Sequence, residues 1–228
     1  MGLHIIGTSH IAAQSVREIE KAIEYEKPDI ICVELDIQRA SALFDEQKTK
    51  ISIAQILQIG VKGYVFAKVG QYVQQKLGNT VGIAPGADMK TALEIARQKK
   101  IDVAFIDQPI QVTLKHFSKS LTWKEKMRFV IDFFKGIFAP KKQMKRLGMQ
   151  EFDLRKVPQD KLILTMIEQV KERYPSVYKV LVEDRNKYMV KKIVVLLRKY
   201  PEKKLLAVVG AGHVSGMNEL LLKVDVLK

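Results

Sequence analysis

The chain has 228 residues, 47% hydrophobic and 28% charged, a balance that excludes a disordered polymer and allows one substantial core or two small ones. Its single cysteine excludes a disulfide framework. No run reaches the ~20 apolar residues needed to cross a bilayer, and no charged start with a small-residue cleavage site marks a secretory signal. A net charge of +14 favours anionic partners: nucleic acid, lipid headgroups or acidic substrates.

In chain order, the apolar run Leu3–Ile6 predicts a strand that ends in a glycine turn at Gly7 and delivers His10. Ser15–Glu26 predicts a helix, with Val16, Ile19, Ala22 and Ile23 on one face. Glu26-Lys27-Pro28-Asp29 breaks it. Ile30–Leu35 reads as a buried strand containing Cys32, a buried structural thiol, and ends at Glu34-Leu35-Asp36. Residues 37–79 read as mostly helical, interrupted at Gly60, Gly63 and Gly78, and Val81–Ile83 as a short strand. Pro85-Gly86-Ala87-Asp88 turns into a helix carrying Met89, Ala92, Leu93 and Ala96, with Asp88 as its expected N-cap. Ile101–Ile106 is the next strand and ends at Asp107.

Residues 113–200 read as mainly helical, followed by a strand Leu205–Val209, a second glycine turn with His213, and a helix Ser215–Lys223. The strand–helix rhythm predicts an α/β fold with a mostly parallel central sheet flanked by helices. A last strand returning to that sheet implies a single domain over 1–228, with a helical excursion at about 113–200 inserted before it. The expected setting is cytoplasmic, with membrane association left open. The ending Asp225–Lys228 is also compatible with a soluble domain cut from a longer membrane protein.

Ligands of a parallel sheet gather at the carboxyl ends of its strands. Those ends carry His10, Glu34, Asp36, Asp107 and His213. Two histidines with carboxylates suit zinc, manganese or cobalt, with water in the remaining position for attack on a carbonyl or phosphoryl group. Packed structural histidines are the alternative, and His4 and His116 are read that way or as surface residues. Arg39 falls on the first turn of a helix and can swing over the same edge. In Leu181–Met189, helical spacing puts Asn186 on the apolar face of Met189 and Ile193. This is either a solvated charged turn at Glu183–Arg185, or a supporting layer in which Arg185 clamps an anionic or carbonyl group. Lys124–Arg146 is cation-rich, with Glu125 and Asp132 its acids, and interleaves Phe129, Val130, Ile131, Phe133, Phe134, Ile137 and Phe138. Such a segment can lie in a membrane interface, or its aromatics can pack on the domain, the arrangement expected here for most of them.

Taken together, Gly7-Thr-Ser-His10, Val33-Glu34-Leu35-Asp36 with Arg39, Gly86-Ala-Asp-Met89, Asp107 with Thr113-Leu114, Glu183-Asp-Arg-Asn186 with Tyr188-Met189, and Gly210-Ala-Gly-His213 resemble the TraB/PrgY group of the TIKI/TraB/GumN superfamily over essentially the whole chain. The resemblance implies an erythromycin esterase/ChaN-like fold and a divalent-metal hydrolase. His10, His213 and Glu34 would be the metal site. It also makes a peptide substrate plausible, since TraB and PrgY relatives are associated with shutdown of peptide pheromones. Family members commonly carry arginine after the strand-end aspartate, where this chain has Gln108; the clamp role then passes to Arg39 and Arg185. Many relatives also continue into membrane-spanning segments.

The expected function is a metal-dependent hydrolase, most simply a peptidase. Glu34 serves as ligand or general base; Arg39, Arg185 and Asn186 position substrate and stabilise developing negative charge; Asp88 and Asp107 contact the substrate. The competing expectation is a non-enzymatic peptide-binding or regulatory protein, held at an anionic membrane surface through residues 124–146. A homodimer is open, and nucleic-acid binding is unsupported by any recognised motif.

Overall fold

The computed structural model describes residues 2–8, 13–44, 86–138 and 159–224. Four strands form one parallel sheet in the order β1 (Gly2–Thr8), β4 (Lys204–Gly210), β2 (Ile30–Val33), β3 (Asp102–Phe105). The register pairs Ile5 with Ala207, Cys32 with Ala207 on the other side, and Cys32 with Ala104. The central strands β2 and β4 are apolar almost throughout and buried on both faces, as parallel strands covered by helices must be.

Alternation along these strands feeds two cores. Ile31, Val33, Leu206 and Val208 face α1 (Ala13–Glu26) and α3 (Ala87–Lys99), meeting Ile19, Ile23, Met89, Ala92 and Ala96. Ile30, Cys32, Leu205, Ala207 and Val209 face the opposite layer, meeting Met189, Ile193 and Leu197 of α8 (Asp184–Lys199) and Met217 and Leu221 of α9 (Ala211–Leu222). The predicted helical faces are thus the buried ones, and Asn186, Met189 and Ile193 lie together on the inner side of α8.

Between β3 and β4 every described element is helical: α4 (Ile110–Ser120), α5 (Trp123–Phe138), α6 (Gln159–Arg173), α7 (Pro175–Tyr178), a π turn at Lys179–Glu183, and α8. The short helix α2 (Ile37–Phe44) follows β2. No helix among the described residues is long and apolar enough to cross a membrane.

The structure corrects several sequence expectations. Strand β2 stops at Val33 rather than Leu35, because Leu35 turns back and its N–H donates to the Val33 carbonyl. No glycine turn separates β4 from its helix. Gly210 is extended at φ −61°, ψ 142°, and α9 starts at the next residue, so His213 lies in the first helical turn. Asp88 does not cap α3; Gly86 does, in the left-handed region at φ 81°. The Asp88 carboxylate instead accepts from its neighbour's Met89 N–H and from the Thr8 hydroxyl at the end of β1. The readings for residues 45–85, including Gly60, Gly63, Gly78 and the Val81–Ile83 strand, and those for Ser9 and His10, lie outside the described residues. So do those for the side chains of Val130, Phe133, Phe134, Ile137 and Phe138.

Candidate functional site

Chain topology opens a crevice at the carboxyl edge of the sheet. After β2 the chain leaves toward the α1/α3 face, and after β4 it enters α9 on the opposite face. Adjacent strands whose connections diverge this way leave a gap between their carboxyl ends. Glu34 extends β2 into that gap, its N–H donating to the Val208 carbonyl at 3.1 Å. From the β4 side, the Gly210 N–H donates to Glu34 Oε2 at 2.6 Å.

His213 Nε2 lies 3.3 Å from Glu34 Oε1. On the far side of the ring, Nδ1 is 2.6 Å from Asn186 Oδ1. A carboxamide oxygen only accepts, so Nδ1 carries a proton and Nε2 is the ring nitrogen that faces the site. Asn186 is buried at 3% exposure, and its amide nitrogen faces Gly216 of α9. A Cβ at Gly216 would stand 2.4 Å from that nitrogen, so the close approach of α8 and α9 that orients the imidazole requires glycine there. Gly7 has a similar role. A Cβ on it would meet Val214 Cγ2 at 2.8 Å and the Ala211 Cα at 3.0 Å, so β1 can lie against the start of α9 only with glycine at the head of the first motif.

Arg185 occupies the middle of the crevice. Its Nε and Nη2 grip Asp107 as a bidentate pair at 3.1 and 2.7 Å. Nη2 also donates to Glu34 Oε1, while Nη1 donates to the Leu181 carbonyl at 3.2 Å and lies 3.2 Å from His213 Nε2. Burial alone would weaken the guanidinium's hold on its proton, but Glu34 and Asp107 outweigh it and raise the pKa above the usual arginine value. Leu181 belongs to the π turn leading into α8, so that irregular turn places both the arginine and one of its acceptors.

Asp36 caps α2, accepting from the N–H groups of Gln38 and Arg39 at 2.8 and 3.0 Å. Its other oxygen accepts from Arg39 Nε at 3.1 Å and the Ile110 N–H at 3.2 Å. Arg39 Nη2 continues to the Glu34 carbonyl at 3.2 Å and to Asp107. Three carboxylates (Glu34, Asp36, Asp107) thus face two guanidiniums (Arg39, Arg185), a formal excess of one negative charge. Every buried side-chain polar atom of the described residues has a partner.

The structure therefore gathers Glu34, Arg39, Asp107, Arg185, Asn186 and His213 into one network, and adds Asp36. Asp88, 1% exposed, sits at the same sheet edge through Thr8, whose register partner is Gly210. The position of His10 lies outside the described residues. His4 is half-exposed, 3.5 Å from Glu26, and His116 is exposed; neither joins the site. Gln108 is buried, donating to the Thr113 hydroxyl at 2.8 Å, so it braces the start of α4. Sequence reasoning missed the capping role of Asp36 and the Gly216–Asn186 contact. An aspartate directly before an apolar helix start was a legible signal for the first; no local signal marks the second.

Which metal donors are present follows from this geometry. Ligand atoms sharing an ion at ~2.1 Å stand about 3–3.5 Å apart, and the 3.3 Å between His213 Nε2 and Glu34 Oε1 satisfies that for two ligands. The second ring nitrogen of His213 is tied down as for a ligating histidine. Among the described residues no group of three or more His, Cys, Asp or Glu side chains is arranged to hold an ion.

Comparison with known proteins agrees with this arrangement of motifs. The sequence profile of the TraB/PrgY/gumN family matches residues 2–224. An uncharacterized protein of Methanocaldococcus jannaschii is 32% identical over 98% of this chain and 54% of its own length. The TraB domain-containing proteins of Homo sapiens and Bos taurus are each 24% identical over 95% of this chain and 62% of theirs. The chain thus spans little more than half the length of these relatives. With a matching profile from β1 to the end of α9, the chain belongs to the TraB/PrgY/gumN family.

Proposed function

We propose that this protein is a divalent-metal-dependent hydrolase acting on peptides. The observation that carries the reading is the convergence of His213 Nε2 and Glu34 Oε1 at 3.3 Å, with the imidazole tautomer set by Asn186, in a crevice of excess negative charge. His213 and Glu34, joined by His10, would hold the ion. When bound, a manganese, cobalt or zinc ion would supply Lewis acidity toward a carbonyl and lower the pKa of a coordinated water.

The protein's own groups divide the remaining work. Asn186 holds the imidazole in the lone-pair-inward tautomer. Glu34, whose carboxylate accepts from the Gly210 N–H and Arg185, serves as ligand or as base toward the attacking water. Arg39 is the most exposed member of the network, its side chain 32% accessible, and would receive a peptide carbonyl or carboxylate. Arg185 stabilises negative charge that develops beside it. Asp107 orients both guanidiniums.

The test is metal content. After incubation with Mn²⁺, Co²⁺ or Zn²⁺ and dialysis, the protein should retain about one ion per chain. His10→Ala, His213→Ala and Glu34→Gln should each remove it, and loaded protein should cleave unstructured peptides. Unchanged metal content in the histidine variants overturns the proposal. One observation favours a second reading, a metal-free regulatory or peptide-binding protein: the Arg185 guanidinium already contacts both donor atoms. A wild-type protein that retains no ion supports that reading.

A further inference from the structure

The described side chains of helix α5, those of residues 123–129, 131 and 132, turn polar groups toward the protein and large apolar ones toward solvent. Its polar residues Glu125, Arg128 and Asp132, spaced i, i+3, i+7, turn inward. Glu125 is 3% exposed and accepts the Ser176 N–H at 2.8 Å. Asp132 receives the Arg173 guanidinium and the Tyr174 hydroxyl, the latter at 2.6 Å, and Arg128 donates to the Arg173 carbonyl. The inner face of α5 is thus a polar clamp onto the end of α6 and the start of α7.

The large apolar side chains described on this helix are left outside. Trp123, Met127 and Ile131, each four residues apart, are 74%, 48% and 46% exposed. At about 100° per residue they span an arc of only ~80°. Phe129, one of the aromatics of a stretch in which most were expected to pack, is 44% exposed as well. Isolated exposed hydrophobics are ordinary, but a continuous row of large ones marks a surface that something covers.

The surrounding charge says what covers it. Lys124 is exposed and Lys126 partly so on either side of the row, and Lys115, His116 and Lys119 are exposed on the preceding helix. Both acids in the first three turns of α5 are turned inward and paired. Symmetric pairing of two copies through this face would bring Lys124 and Lys126 against their own images in a chain of net charge +14, an arrangement that repels. An anionic bilayer surface complements both parts: apolar side chains enter the headgroup–acyl boundary while the lysines meet phosphates. We infer that α5 is an interfacial helix that docks this protein flat on anionic membranes, with Trp123 at the boundary. Such docking is independent of the metal site.

Trp123 is the chain's single tryptophan, so it reports directly. The intact protein is titrated with phosphatidylcholine vesicles, with and without phosphatidylglycerol, at low and high salt. With the anionic vesicles at low salt, its emission should shift to the blue, iodide quenching should fall, and the protein should co-sediment. Added salt should weaken binding. Met127→Asp with Ile131→Asp should reduce binding by at least about a hundredfold, with an unchanged circular dichroism spectrum and melting temperature. Lys124→Glu with Lys126→Glu, which leaves the clamp untouched, should reduce it by at least about thirtyfold. No binding to anionic vesicles at low salt overturns the inference. So does protection of Trp123 that grows with protein concentration in the absence of lipid, which would assign the face to a second copy.

Discussion

Replacing Arg185 by alanine removes the cation that compensates two buried carboxylates at once. Glu34 and Asp107 have side chains only 5% and 2% exposed, and Arg185 makes a bidentate pair with one and a third bond to the other. Removing one partner of a buried ion pair costs about 3–5 kcal/mol, because the remaining charge stays buried and unpaired. Arg39 on Asp107 and the Gly210 N–H on Glu34 remain as compensations, which points to the low end, about 3 kcal/mol. For a chain of this length that lowers the melting temperature by roughly 6–12 °C. Arg185→Lys keeps the charge but not the fork, and should fall between. The assay is urea unfolding followed by circular dichroism, with and without added Mn²⁺. If the crevice is a cation site, the ion should restore stability to the alanine variant, by about 2.7 kcal/mol at a hundred times its dissociation constant. A loss below about 1 kcal/mol would refute the claim that Arg185 neutralises this pair.

Gly216→Ala tests the orientation of His213. Helix propensity alone would stabilise the variant by about 1 kcal/mol, but the new Cβ would lie 2.4 Å from Asn186 Nδ2. A net loss of stability is therefore expected, with ¹⁵N spectra showing that the Nδ1-protonated tautomer of His213 no longer dominates; a stabilised variant with unchanged spectra would contradict this. Glu125 is pushed upward by burial, but donors from Thr122 and Ser176 override this and bring its pKa from 4.5 down to about 2. A carboxylate with a depressed folded-state pKa stabilises fully above about pH 4.5 and loses that contribution as the pH falls toward 2. Glu125→Gln should flatten the acid limb of stability against pH in that window, and parallel wild-type and variant curves would sink the assignment. The Cys32 thiol, raised by burial to about 12, should resist Ellman's reagent at pH 8 until the protein is unfolded; rapid labelling of native protein would show that β2 is accessible.

Most of the sheet was legible because buried parallel strands announce themselves. Leu205–Val209 and Ile30–Val33 are unbroken apolar runs, and neither has a polar position that a surface strand would need. The helical stripe of α8 was equally plain, including the anomaly of Asn186 on its apolar face, and that anomaly led to the orienter of His213. The inside-out character of α5 was not legible. Periodicity shows that Trp123, Met127 and Ile131 share a side, but not which side meets the protein. That was decided by Arg173 and Tyr174, more than forty positions away, offering partners to Asp132. The role of Arg185 was only half visible, since its contact with Glu34, for which a bound ion would have to compete, depends on how α8 crosses the end of β2.

That competition links the two readings of the site. A guanidinium donating to Glu34 Oε1 and lying 3.2 Å from His213 Nε2 cannot stay there while both atoms ligate an ion, because the same lone pairs would be shared between two cations. Arg185 is also held by two bonds to Asp107, so under the proposed metal reading it would have to give up Glu34 while still anchored to Asp107. If the proposed hydrolase reading holds, the arginine would then lie beside the ion's carboxylate ligand, where developing negative charge would appear. Arg185→Ala should thus separate the two functions, raising metal affinity by removing the competitor and lowering turnover by removing the clamp. A variant that loses both together would show that the arginine builds the metal site and does not compete for it.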